Sequence, residues 1–554
     1  MSEQQETSAA AHGLEGASAV SKFHTHSIPL DMEDIERDWD KPVTEAGIAA
    51  KTSVIVRVGM LDLGAGTGSF RVREMMHRIA YPLGVHVRAD VNLTDIEASC
   101  TDGKNRITEV VDLPTTGVNT ERIWLLEHFA DWFNVNLGKG SMYHSRTEVS
   151  EGLMDHLDTK DASQVSADLS KNLRERRKAE VKAKAKAKAE AKSEAQKARA
   201  KTHSAPEGEY AEHFDHVGKQ GDADGASITV GQAHARLDKI EHRKPLYSPA
   251  FAGFASASAC ASFVFLLGGG PVDMIGAFVG AGLGHWLRRH LFARHLNQFF
   301  VTFICVALAA LACTGTLRLM SLFHPAALAH DTAYIGAMLF VIPGFPLITG
   351  GLDMAKIDFP SGIQRIAYVL CIILMATLGG WMVASIVHLN PQGFDPLGLN
   401  PVVNCLLRMV FAFIGVWGFS VMFNSPQRMC LVAACIGMIT DTLRLEITDA
   451  GVPLEAAAFI GALLAGLLAS AWRSAVRRGL LPPHLGYPRI CLTVPSIVIM
   501  VPGLYMYQAM FHLGQFNTLT ALDWAFRAFM VIVCLPIGLA MARVITDKSW
   551  RYDI

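Results

Sequence analysis

From Ser248 to the C-terminus one long apolar run follows another, and nothing else in the chain constrains its fold so strongly. Crossing a hydrocarbon core takes roughly 20 mostly apolar residues in a helix, because every backbone polar group must be satisfied within the segment. Runs of that length lie near 251–270, 272–288, 299–320, 332–352 and 364–388, and again near 404–423, 427–445, 454–472, 490–511 and 523–543. The expected fold class is an α-helical polytopic membrane protein with about ten transmembrane helices. A polar half reaching to about Tyr247 precedes them, so the net charge of -1 averages two unlike regions. Nine of the ten cysteines sit unpaired among Leu, Val and Ala of the apolar half, as small buried hydrophobes do. No disulfide framework or metal site is expected, and no basic stretch with an apolar run behind it marks a signal peptide.

Lys and Arg are retained on the cytoplasmic side of a membrane. With the N-terminus inside, the inside connections carry Arg288, Arg289, Arg294, Lys356, Arg365, Arg428, Arg473, Arg477, Arg478 and Arg489, whereas the outside ends carry Arg318, Arg408, Arg444 and Arg527. Both termini are therefore expected in the cytoplasm. The two sets of five spans also resemble each other, with Val341-Ile-Pro-Gly-Phe-Pro346 in the fourth span and Met500-Val-Pro-Gly-Leu-Tyr505 in the ninth. An odd number of spans per repeat inverts one half relative to the other, as in many secondary transporters.

Proline inside a span removes a backbone hydrogen bond and glycine weakens the helix, so Pro343-Gly344 and Pro502-Gly503 are expected to break their helices. Freed amides and carbonyls at membrane depth survive where protein or a water-filled cavity satisfies them, and half-helix ends suit a zwitterion. Pro343, Gly344, Pro346, Pro502, Gly503 and Tyr505 are thus candidates for substrate binding or gating. Charges in hydrocarbon are costly. Asp353 and Asp441 are therefore candidate proton carriers, against the plainer roles of an interfacial acid beside Lys356 and a helix-end partner of Arg444. Asp273 is assigned to the first outside turn, and His285, His290 and His295 to basic loops.

In the polar half, Phe70 to Tyr81 carries a helical apolar stripe, Val85 to Val91 and Ile107 to Leu113 alternate like strands, and Glu121 to Phe133 is helical again. The result is a small α/β unit. Ahead of it Leu61-Asp-Leu-Gly-Ala-Gly-Thr-Gly68 ends an apolar stretch in a glycine-rich turn, as nucleotide and S-adenosylmethionine sites do, with Asp90 placed for a ribose. Against a cofactor stands the shortness of the folded stretch, and a tight turn between packed elements is the plainer role of these glycines. Lys182-Ala-Lys-Ala-Lys-Ala-Lys-Ala189 lies in a basic stretch able to attract anionic lipid or nucleic acid, though no specific nucleic-acid partner is expected.

Several separated pieces resemble the threonine/serine exporter family: Gly64-Ala-Gly-Thr-Gly-Ser-Phe-Arg-Val72, Val91-Asn-Leu-Thr-Asp-Ile96, Thr115-Thr-Gly-Val-Asn-Thr-Glu-Arg-Ile123, Ala233-His-Ala-Arg-Leu-Asp-Lys-Ile-Glu241, and Pro343-Gly-Phe-Pro346 with Asp353. The resemblance covers about 45–140 and 227–545. It implies export of threonine and serine across the cell membrane, driven by protons, from one chain that fuses two halves. It assigns Gly64, Gly66, Thr67, Gly68 and Arg71 to the cytoplasmic domain of an exporter, and it implies neither an enzyme nor a cofactor. The sequence departs from the family by its Ala/Lys insertion and by Tyr505 where the first repeat has Pro346. The expected division is a disordered tail over 1–45, an α/β domain over 46–140, a linker over 141–226, a membrane-proximal helix over 227–247, repeats over 248–390 and 403–545 around an outside loop at 391–402, and a tail over 546–554. A membrane-anchored methyltransferase and a channel with a sensor domain remain as rivals, and association into oligomers stays open.

Overall fold

The computed structural model describes residues 32–113, 117–137, 228–391, 393–394 and 397–551, so the Ala/Lys linker lies outside the described residues. The N-terminal domain comprises α1 (Met32–Arg37), α2 (Ile48–Gly64), α3 (Ser69–Ala80), β1 (His86–Val91), β2 (Asp95–Thr101), β3 (Arg106–Asp112), α4 (Thr120–Asn136) and α5 (Val230–Glu241). The strands form an antiparallel sheet in the order β1-β2-β3. Val87, Ala89 and Val91 of β1 and Ile96, Ala98 and Cys100 of β2 point inward, the period of two that a half-buried strand requires. Helix α2 packs against the sheet, α3, α4 and α5, which is why it is apolar on every side rather than striped.

The methyltransferase rival and the extent of the tail change here. The apolar stretch before the glycines is the end of a helix, and the sheet is antiparallel, whereas a dinucleotide-type fold turns from a strand of a parallel sheet into a helix. Asp90 lies on the exposed face of β1. The methyltransferase geometry is therefore not present. Strand β2 went unread because Ala98, Ser99 and Cys100 alternate too weakly in polarity. Residues from Met32 on, within the expected disordered tail, are folded: Ile35 and Val43 are buried, and Val43 N–H donates to Ile228 C=O (2.8 Å) and Gly231 N–H to Trp39 C=O (2.8 Å). Trp39 stacks on His234 with ring centroids 5.3 Å apart. Helices α4 and α5, on either side of the Ala/Lys stretch, thus belong to one domain.

The apolar half forms a bundle of α6 (Pro249–Leu266), α7 (Pro271–Phe292), α8 (Gln298–Ser321), α9 (Ala333–Met338), α10 (Gly344–Ala355), α11 (Phe359–Val387), α12 (Pro401–Met422), α13 (Gln427–Asp449), α14 (Leu454–Arg477), α15 (Arg489–Val498), α16 (Gly503–Gly514) and α17 (Thr518–Thr546). A short helix, α18 (Lys548–Arg551), follows. Among the described residues six of these are long and apolar enough to cross a membrane, and the broken pairs α9/α10 and α15/α16 raise the number to eight. Helices α7 and α13 fill the remaining two expected places and are long enough, but they carry Asp273, Arg288 and Arg289, and Asp441, Arg444 and Glu446. His285 lies inside α7, buried against Phe340 at 5.8 Å between ring centroids, and not in a loop. Neighbour relations repeat between the halves. As α7 packs on α6, α8 and α9, so α13 packs on α12, α14 and α15, and as α10 packs on α11 and α17, so α16 packs on α17 and α11.

Candidate functional site

Both proline-glycine pairs break their helices, by 61° between α9 and α10 and by 48° between α15 and α16. Pro343 and Pro502 precede the second half-helices with nearly the same backbone angles, φ -80° and ψ 62° against φ -81° and ψ 55°. The breaks pack on each other. A Cβ on Gly344 would collide with Val498, with Val501 next, and one on Gly503 would collide with Ile342 and Leu339. The 159-residue interval from Pro343 to Pro502 carries Leu339 onto Val498 and Ile342 onto Val501. Each glycine therefore meets its own break's counterpart residues. Helix α10 starts at this crossing and runs toward the N-terminal domain. Helix α16 starts there and runs to the opposite end, where Gln508 Nε2–H donates to Pro391 C=O (3.2 Å).

Pro343 and Gly503 line a cavity at the crossing together with Ile342, Leu339, Met506 and Tyr507. Its volume is about 20 Å³, the room of one water, and its walls are apolar. Pro346 and Tyr505 do not line it; Tyr505 is half-buried beside Trp524, 5.0 Å between ring centroids. Of the first-turn amides, Gly344 N–H already donates to Ile342 C=O and Gly503 N–H to Val501 C=O (2.8 Å each), Pro346 has none to offer, and the others lack intrahelical acceptors. A second cavity of about 250 Å³ opens at the end remote from the N-terminal domain, between α8, α9 and the end of α11. Tyr334 lines this outer cavity and Tyr507 the inner one, and their hydroxyls are hydrogen-bonded at 2.7 Å.

The N-terminal domain covers the other end of the bundle. Asp353, at the end of α10, is fully buried and pairs with Arg365 (3.1 Å) and Ser361 (3.3 Å), not with Lys356, which lies over the Trp550 ring. Its other oxygen, Oδ1, faces the N-terminus of α3, where a Cβ on Gly68 would lie 2.6 Å from it, and among the described residues it is buried without a hydrogen-bond partner. Such an N-terminus is a ready receptor for an anion. Next to it Asp358 takes Ser69 Oγ and Arg73, and Gln364 takes the Leu93 N–H (2.9 Å) and donates to Asn92 (3.2 Å).

A second contact joins the start of α4 to the turn between α12 and α13. Thr120 N–H donates to Phe423 C=O (3.0 Å), Thr120 Oγ1 meets Ser425 Oγ (2.6 Å), and Asn424 Nδ2–H donates to Asn119 and Glu121. The two contacts are linked inside the domain. Gly66 adopts φ 95°, and a Cβ there would sit 2.7 Å from Gly117 C=O, so only glycine fits this turn. Thr67 Oγ1–H closes the end of α2 by donating to Asp62 C=O (2.9 Å), and Asn119 N–H donates to Ala65 C=O (3.1 Å). Gly64 ends α2. The portion of the Thr115 motif at 114–116 lies outside the described residues.

Arg71 binds Glu127 and approaches Asp62 (3.8 Å), while Arg473 of α14 reaches Glu127 across the interface (3.4 Å). Burial pushes the Asp62 carboxyl up to about 6 against the pull of Arg71. Burial acts the same way on Glu127, but Arg71, Arg473 and Arg78 outweigh it and hold that carboxyl well below the usual range. Asp441, the second candidate proton carrier, is buried and paired with Arg444 (2.7 Å), as in the plainer role weighed against it. Asp273 caps α7 through the Gly270 N–H (2.8 Å) and meets His330 (2.9 Å). Asp238, Glu241 and His242 could offer three ligand atoms to a metal, but Arg57 occupies Glu241 at 2.7 Å.

Sequence patterns nominated the broken helices and Asp353, but not the surfaces that meet across the domain interface. The missed residues are Asn119, Thr120, Gln364, Asn424, Ser425 and Arg473. Their partners lie hundreds of residues away, and the available signal was that three recurring family pieces of the N-terminal domain had no other task.

Comparison with known proteins agrees with this architecture. One sequence profile of the threonine/serine exporter family, ThrE, matches residues 53–139 and 221–387, and a second, ThrE_2, matches 408–545. A Haemophilus influenzae protein named only "Uncharacterized protein" is 28% identical over 149 residues, which is 25% of this chain and 46% of that protein, so the chain spans about half of that curated relative's length. No solved structure matches. With both profiles matched in order along most of the chain, the protein belongs to the threonine/serine exporter family of multi-pass membrane transporters.

Proposed function

We propose that the protein exports threonine and serine in exchange for protons, by alternating access between two inverted five-span repeats. The observation that carries this is the crossing of two broken helices with interchangeable contacts, from which α10 and α16 depart in opposite directions. Half-helix N-termini at such a crossing suit a substrate carboxylate. In this conformation the crossing is closed: the inner cavity is too small for an amino acid, the N-terminal domain covers one mouth, and the outer cavity is open at the other.

The covered mouth is the cytoplasmic one, since Arg365, Arg428, Arg473 and Arg489 gather there as the retention of cations inside requires. Asp353 is the coupling residue. Its carboxylate is held by Arg365 and faces the first turn of α3, so protonation removes an attraction to both and loosens the domain from the bundle. Inside-out vesicles given labelled threonine test the whole proposal. Uptake should require an imposed proton gradient, and Asp353→Asn should abolish that requirement or the uptake itself; threonine uptake indifferent to the gradient removes proton exchange. Normal coupling in Asp353→Asn would clear the residue.

A further inference from the structure

We propose that the outer cavity is a binding site for the zwitterionic end of an α-amino acid, with Arg318 receiving the carboxylate and Asp331 the ammonium. Its identity as the exit-side station of transport rests on the export proposal above; its chemistry does not. Four arginines lie at this end of the bundle, and three have carboxylate partners: Arg408 with Glu446 (2.9 Å) and Asp449 (2.6 Å), Arg444 with Asp441 (2.7 Å), and Arg527 with Asp523 (3.1 Å). Among the described residues Arg318 is the exception. It lines the cavity and is held only through Nη2–H to Val387 C=O, at 3.4 Å.

Asp331 lines the same cavity, where its Oδ2 accepts from the Asn390 N–H (3.1 Å), and among the described residues no cation pairs with it. The neighbouring His330 is taken by Asp273 (2.9 Å). One cation and one anion therefore face a shared space without neutralising each other, being further apart than an ion pair. A solute with an ammonium and a carboxylate on one carbon satisfies the two at once, and a solute with one charge leaves the other unmet. About 250 Å³ far exceeds the 10–15 Å³ or so that one water needs, so an amino acid has room. In this closed conformation the inner cavity, apolar and water-sized, has no room for either charged group.

The floor of the outer cavity is Tyr334, whose hydroxyl meets that of Tyr507 in the wall of the inner cavity. This hydrogen-bonded pair stands between the two spaces. The outer site is thus placed to take an amino acid as the crossing opens outward and to keep it from returning once the tyrosines meet again.

The test uses the full chain in proteoliposomes, with a cysteine at Leu328, an exposed residue of the cavity wall, labelled by a membrane-impermeant maleimide over the native-cysteine background. L-threonine should slow labelling of Leu328→Cys; butyrate, lacking the ammonium, and ethanolamine, lacking the carboxylate, should not. In that background Arg318→Gln and Asp331→Asn should each raise the half-protecting threonine concentration about tenfold or more, the effect of one lost charge-assisted hydrogen bond. Arg318→Lys, which keeps the charge, should recover part of the protection. Equal protection in parent and variants, or protection by butyrate and ethanolamine alike, overturns the site. Threonine export without any protection overturns it too while sparing the export proposal, whereas protection in a chain that does not export leaves the site standing and removes export.

Discussion

At the scale of single residues, the buried acids of the interface make pH a direct probe. Asp62 has its pKa raised from 3.8 to about 6, so its ionised form is the one folding disfavours. Stability is unaffected by this group below about pH 4 and falls as pH rises through 6, by about 3 kcal/mol for a shift of about two units. Asp62→Asn is therefore expected to gain on the parent between pH 4 and 7 in thermal unfolding of the detergent-solubilised chain; a constant difference would contradict it. Glu127 works with the opposite sign, its contribution being lost as pH falls, and Glu127→Gln should destabilise most at neutral pH. Gly68→Ala places a methyl group 2.6 Å from a carboxylate that Arg365 holds in place, an overpacking worth about 1–3 kcal/mol. It should speed hydrogen exchange in the first turn of α3 without unfolding the domain. Asp353 could be picked from sequence because an acid at the end of an apolar span is unusual. Its clasp by Gly68 could not, since no local pattern links positions 285 residues apart.

Among elements, the length of the apolar runs located the spans, and proline with glycine located both breaks, because these signals are local. The crossing of the breaks is not local, and it makes a quantitative demand. Gly344 and Gly503 face equivalent residues of the opposite half, so Gly344→Ala and Gly503→Ala should lower stability by similar amounts, each about 1–3 kcal/mol, read as matching shifts in unfolding temperature. A large effect of one and none of the other would deny the equivalence. The glycine-rich turn shows the limit of motif reading. Its composition matches a nucleotide loop, but α2 enters it as a helix, and the turn serves to bring Gly66 onto Gly117 and the start of α3 onto Asp353. Helix α2 itself gave no stripe to read, since it is enclosed on every side.

For the whole molecule, the contact between Asn92 and Gln364 offers a way to hold the domain on the bundle. A short thiol cross-linker joining Asn92→Cys to Gln364→Cys should arrest threonine export, and a cleavable version should restore it on reduction; unimpaired export in the cross-linked chain would show that the domain need not move. How far it can move is fixed by the chain. Because α5 belongs to the domain, the long insertion begins and ends on the domain and adds nothing to its reach. The only leash is residues 242–248, between Glu241 and Pro249, seven residues that extend to about 25 Å at most. A stopper so tethered can leave the mouth but cannot diffuse away. It faces its seat at an effective concentration of order millimolar, and reclosure is a local event that needs no encounter with a second molecule.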